Sequence, residues 1–206
     1  MSPKTKRNMQ LNALDPGQYL AADKVINHHH PDVAALAARL AAGSQSDVDS
    51  AREAFEFARD EITHSWDAGD RRLSVFASET LSNRTGLCYA KAHLAVALTR
   101  ARGIPAGLCY QRLHDNGSGF QLHGLYAVFL DGDWHRLDPR GNKAGIDAQF
   151  SLAEERLAWP AHPERGDIDY PTLYRTAAPT LIKMLRSRDH LPPPGPGVIP
   201  TGLPVG

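Results

Sequence analysis

The chain has 206 residues, 42% of them hydrophobic, which suffices for one domain with a sizeable core. Its 23 Lys and Arg balance 23 Asp and Glu, so no basic field invites nucleic acid or an anionic membrane. No apolar stretch approaches the roughly 18 residues of a membrane span. The start lacks the apolar run of a signal peptide, and two cysteines without a CxxC pair make neither a disulfide framework nor a zinc site. The expectation is a cytoplasmic protein without metal or cofactor and without nucleic-acid or membrane partners.

Residues 1–30 show weak periodicity and read as a lead-in, with basic residues at its start (Lys4, Lys6, Arg7) and His28, His29 and His30 at its end. Adjacent histidines on such a segment rarely converge on one ion without other ligands. The main domain is expected over 31–190. "DVAALAARLAAG" predicts a helix opening at Asp32 and closing at Gly43, and a second helix is predicted from a Ser46 or Asp47 cap to about Thr63. A polar stretch follows, with one helical turn expected around Ser78 to Leu81. The next helix begins near Cys88, with Ala90, Leu94, Ala97, Leu98 and Ala101 on one face, and stops at Gly103 and Pro105. The period then changes. "AGLCYQRLH", "LHGLYAVFL" and "DWHRLD" read as strands, the last two joined by the Asp131-Gly132 hairpin signal. Beyond Pro139 the chain is irregular, with short helices expected near Leu152–Leu157 and from about Pro179 to Arg188. Residues 191–206, mostly Pro and Gly, read as a disordered tail that doubles as a candidate polyproline ligand. Helices followed by an antiparallel sheet make the fold class α+β.

The chemistry rests on a thiol. A cysteine nucleophile needs a base for its proton and a group to orient that base. Cys88 stands where a helix N-terminus favours a thiolate and where free N–H groups can hold an oxyanion; Gly86 is expected to allow a tight turn just before it. Taken alone, an inert packed cysteine is the commoner outcome. His114, His123 and His135 lie in the strand region. If Asp131-Gly132 is a two-residue loop, Leu130 pairs with Asp133 and Leu125 with Asp138. His123 and Asp138 then become same-face diagonal neighbours about 7–8 Å apart at the backbone, whereas His135 points to the other face. Asp138 also precedes Pro139 and reads equally as a turn former. Gln121 is a candidate oxyanion or substrate donor. Trp134, on the face of Asp138, is a candidate shield against water. Cys109 reads as core packing.

The stretches "TGLCYAKAHLAVALTRARGIPAG" and "LHGLYAVFLDGDWHRLDPR" resemble the core of the transglutaminase-like superfamily, within the papain-like cysteine enzymes. The matching positions are Gly86 and Cys88; Arg100, Gly103, Ile104, Pro105 and Ala106; then His123; then Trp134, Asp138 and Pro139. The match covers roughly Glu79 to Arg140, in a chain whose size suits a small single-domain member. The resemblance implies a Cys-His-Asp enzyme that attacks a peptide or glutamine amide in a peptide or protein substrate, forms a thioester, and passes the acyl group to water or an amine. In it Cys88 is nucleophile, His123 general base and then acid, and Asp138 the orienter. Gly124, Leu125 and Tyr126 depart from the family's Ala/Ser-then-Trp after the histidine, and Ala106-Gly107 departs from Ala-Arg; both bear on substrate preference. A non-catalytic binding module that keeps the fold is the alternative.

Overall fold

The computed structural model describes residues 9–115, 119–195 and 197–204; the basic cluster Lys4, Lys6 and Arg7 lies outside them. The helical half opens with α1 (Pro31–Leu40) and α2 (Asp47–Glu56). Ser46 caps α2 by accepting the Asp49 N–H at 3.1 Å, and a π-turn at Phe57–Glu61 extends that helix toward the predicted end. A two-residue strand β1 (Thr63–His64) follows, then α3 (Ala77–Asn83) in place of the single expected turn, and then β2 (Thr85–Gly86), which runs parallel to β1.

Helix α4 (Cys88–Arg100) is the centre of the molecule. Its apolar residues suggested one buried face, but all thirteen residues are buried, polar ones included. The helix is enclosed because α1, α2 and α3 pack on one side and the sheet on the other. Its polar residues therefore find partners internally, with His93 Nε2 left without one. His93 Nδ1 meets the Val75 carbonyl oxygen at 2.7 Å, and burial pushes that imidazole down to about 4. Arg100 donates to the carbonyls of Ala106, Ala21 and Arg175.

The sheet holds β3 (Ala106–Asp115), β4 (Gly119–Leu130), β5 (Asp133–Leu137) and a short β6 (Ile168–Asp169) that periodicity did not suggest. Its order is β5-β4-β3-β6 and every pairing is antiparallel. The hairpin register is the expected one: Leu130 opposes Asp133 and Phe129 opposes Trp134, across a turn in which Asp131 and Gly132 both take positive φ. Leu122, Tyr126, Val128 and Leu130 alternate toward the α4 side, while Leu125 and Ala127 face a second cluster with Tyr19, Cys109 and Leu173. A long irregular segment then wraps the sheet, and α5 (Pro179–Arg186) closes it. The short helix expected at Leu152–Leu157 is absent, and the chain bends there instead.

Both ends differ from expectation. The lead-in is packed, with Tyr19 and Ile26 fully buried and Asn12 N–H donating to Pro171 O at 2.7 Å. The expected disordered tail is placed as well over 191–195 and 197–204, with Leu191, Ile199 and Leu203 buried. Pro and Gly deny it a regular element, yet three spaced branched side chains suffice to seat it, each worth about 1.5–3 kcal/mol on burial. Among the described residues no helix is long and apolar enough to cross a membrane.

Candidate functional site

Cys88 is the first residue of α4 and is 6% exposed. Gly86 brings it there by a mechanism other than a tight turn. It sits extended in β2, where a Cβ would lie 2.7 Å from Ala90 Cβ, so its missing side chain lets the first turn of α4 close over the strand. Across the gap stands β4. A Cβ on Gly124 would sit 2.5 Å from Tyr89 Cδ1 and 3.2 Å from Tyr89 Cα. Only glycine admits this approach, and the Gly124 N–H consequently reaches Cys88 Sγ at 3.5 Å. Tyr89 locks the contact by donating its hydroxyl to the Leu122 carbonyl. The departure from Ala/Ser at Gly124 thus has a packing cause. So does that at Gly107, where a Cβ would lie 2.8 Å from Leu173 and 2.9 Å from Tyr19.

His123 precedes Gly124, and its Nε2 lies 2.8 Å from Asp138 Oδ2. Nδ1 is the ring nitrogen left over, and Cys88, which lines the same cavity, acts electrostatically on the ring. Burial opposes charge on His123, but Asp138 and then Cys88 outweigh it and push the imidazole up to about 10. Asp138 is fully buried, which favours its neutral form; His123 overcomes this and holds the carboxyl below its ordinary range. Asp138 also accepts the N–H groups of Arg140 at 3.1 Å and Ala158 at 3.0 Å. The Asp-Pro turn and the carboxylate partner are therefore one residue in both roles.

These groups open into a cavity of about 390 Å³ whose walls include His64, Trp66, Cys88, His123, Arg140 and Trp159. Other candidates fall variously. Gln121 lines the cavity, with its amide donating to Asp115 at 2.5 Å. Trp134 does not: it packs on Tyr19 at 4.9 Å and Phe129 at 5.3 Å, because the lead-in covers that part of the sheet. The aromatic ring beside the imidazole is that of Trp159 instead, edge-on to His123 at 5.1 Å. His114 lines the cavity, whereas His135 turns to the other face and meets Leu130 O at 3.2 Å. Cys109 is fully buried, and burial pushes its thiol up to about 12.

Sequence reasoning missed Trp159, His64 and Lys91. Trp159 lies in the irregular segment, where no period marks it. His64 opposes Gly86 in the β1–β2 pair; burial and then Arg140 push it down to about 3, and its Nδ1 has no hydrogen-bond partner. Its neighbour Asp67 is burdened by burial but pairs with Arg140 and Lys143, which hold it well below the carboxylate range. Lys91, one turn beyond Cys88, donates to Ile62 O and to Arg59 O at 3.0 Å, and burial followed by Arg140 brings its amine down to about 7. The upstream polar stretch gave no hint that it folds back against α4.

A sheet and a buried helix with a thiol at the helix mouth and an imidazole on the adjoining strand define the papain-like and transglutaminase-like class of α+β folds. The chain belongs to the transglutaminase-like superfamily: that family's model matches residues 34–139, just over half of the 206 residues. No curated protein matches it. Among solved structures, one from Cytophaga hutchinsonii, described as a "putative cysteine protease", is 19% identical with a TM-score of 0.50, over 59% of this chain and 40% of that one. A structure described as a TGase is 15% identical with a TM-score of 0.46, over 79% of this chain and 45% of that one. The chain spans less than half the length of either.

Proposed function

We propose that this protein is a thiol-dependent acyl-transfer enzyme acting on a peptide or glutamine amide. The observation that carries the reading is that Cys88 and His123 line one cavity, with a buried carboxylate on His123 Nε2 and the N–H of the adjacent Gly124 on Cys88 Sγ. Cys88 Sγ adds to the amide carbonyl carbon as a thiolate. The oxygen takes the charge and faces the free N–H groups that begin α4, which suit an oxyanion by position and by the helix dipole. His123, as imidazolium, gives its Nδ1 proton to the leaving nitrogen; the C–N bond breaks and a thioester remains. Water, or an amine, then attacks the thioester while His123 takes its proton, and Cys88 is released. Asp138 stays ionised throughout, holding the ring and its tautomer. Trp159 and the cavity walls limit water near the pair, which strengthens each electrostatic contact.

The test is a panel of peptide amides, including glutamine-containing ones, incubated with wild type and Cys88→Ala. Wild type is expected to release amine or ammonia and to carry an acyl adduct on Cys88 that hydroxylamine discharges as a hydroxamate; Cys88→Ala does neither. Absence of both turnover and adduct across the panel favours a binding module.

A further inference from the structure

The edge of β4 beside the thiol is open to the protein's own chain. β5 leaves β4 after the Tyr126–Leu137 pair, so on that side β4 upstream of residue 126 has no β5 partner. Alternate N–H groups of a strand point the same way and stand about 7 Å apart. The Gly124 N–H goes to Cys88 Sγ, and the Leu122 N–H goes to the Pro200 carbonyl at 2.9 Å. Pro200 thus occupies the next main-chain donor along from the sulfur. Ile199 is 6% exposed and forms part of the cavity wall with Leu87 and Leu122. Upstream, Pro192 O accepts the Trp66 Nε1–H at 3.0 Å, so the same segment touches the helical wall too. Leu203 anchors its far end, its N–H donating to the Tyr170 hydroxyl at 2.9 Å.

We propose that this edge of β4 is a docking edge for an extended peptide bearing a branched apolar residue, and that residues 197–204 fill it in the resting protein. Three features argue for an extended peptide. The recognition is main-chain, through the Leu122 N–H; a branched side chain fills the wall; and the occupant, though bent at residues 198, 199 and 201, is itself polypeptide backbone meeting a sheet edge. Proline at 200 has no N–H to offer, so the strap makes a single bridge there where a strand would make a ladder. That leaves it displaceable by a peptide able to donate as well. The substrate meaning rests on the acyl-transfer reading; the docking does not.

The experiment uses the full chain as wild type and Ile199→Asp, with a fluorescent synthetic peptide of residues 197–204 and a scrambled control. In Ile199→Asp the amide of Leu122 is expected to exchange at least about tenfold faster. The peptide should then bind the variant at least about tenfold tighter than wild type and restore Leu122 protection, with the scrambled peptide weaker. If near-UV circular dichroism shows that Ile199→Asp has lost its packing, Ile199→Thr serves the same comparison. Unchanged Leu122 exchange, equal binding of both peptides, or no binding once Leu122 is exposed overturns the proposal. Specific peptide binding without turnover on any amide sinks the enzyme reading alone, and turnover without peptide docking sinks this one alone.

Discussion

Replacing Asp138 tests the buried pair directly. Its carboxylate accepts three donors: His123 at 2.8 Å, Ala158 N–H at 3.0 Å and Arg140 N–H at 3.1 Å. Asp138→Ala orphans all three in a site of zero exposure. At about 1–3 kcal/mol per unsatisfied buried group, partly relaxed, the loss is about 4 kcal/mol, or a fall in Tm of roughly 8–16 °C at this chain length. Asp138→Asn is subtler. With its carbonyl toward His123 and Ala158, its amide confronts the Arg140 N–H; reversed, it confronts the Ala158 N–H and donates to His123 Nε2, forcing the ring proton onto Nδ1. Either way one backbone donor is orphaned, at about 1–3 kcal/mol. The second orientation also gives the base the wrong tautomer, for which a rate loss of roughly a hundred- to ten-thousandfold is expected. The stability advantage of wild type over Asp138→Asn should depend on pH. The His123 charge, with its pKa raised from 6.5 to about 10, stabilises the fold fully below 6.5 and loses that contribution as pH rises toward 10. Asp138, lowered in the fold, contributes above its unfolded value near 4 and loses the contribution as pH falls. Urea unfolding from pH 6 to 10 reads the His123 limb, and unfolding below pH 4 reads the Asp138 limb, with slopes of up to about 1.4 kcal/mol per pH unit. A loss under 1 kcal/mol for Asp138→Ala, or a difference flat with pH, refutes the reasoning.

Lys91 gives the opposite slope. With its amine lowered from 10.5 to about 7, the unfolded state binds the extra proton, so this residue's contribution grows as pH rises from 7 to 10.5. Wild type minus Lys91→Met should therefore increase by about 2 kcal/mol between pH 7 and 9 in denaturant titrations; parallel curves contradict it. Gly124→Ala drives a methyl into Tyr89 and should cost about 1–3 kcal/mol in thermal unfolding. Amide turnover should fall with it, as the helix mouth is pushed from the strand. In the native protein at pH 7, iodoacetamide should label Cys88, which lines the cavity, and spare Cys109, which is fully buried with its thiol raised to about 12. Peptide mapping by mass spectrometry decides; equal labelling of both places Cys109 wrongly.

The sequence by itself determined what depends on local geometry. Asp131-Gly132 set a two-residue turn, the turn set the register, and strand alternation put His123 and Asp138 on one face with His135 on the other. Capping and apolar spacing likewise located α1, α2 and the start of α4. Tertiary structure decided whatever depends on which distant segments meet. No period in the chain announces that Trp159, and not Trp134, stands over the imidazole, that a buried lysine ties α4 to two carbonyls, or that a Pro- and Gly-rich end lies against β4. Those contacts are made by irregular backbone, whose course is fixed by the cavities and unpaired N–H groups that the regular elements leave behind. Such vacancies exist only once the helix and sheet have packed.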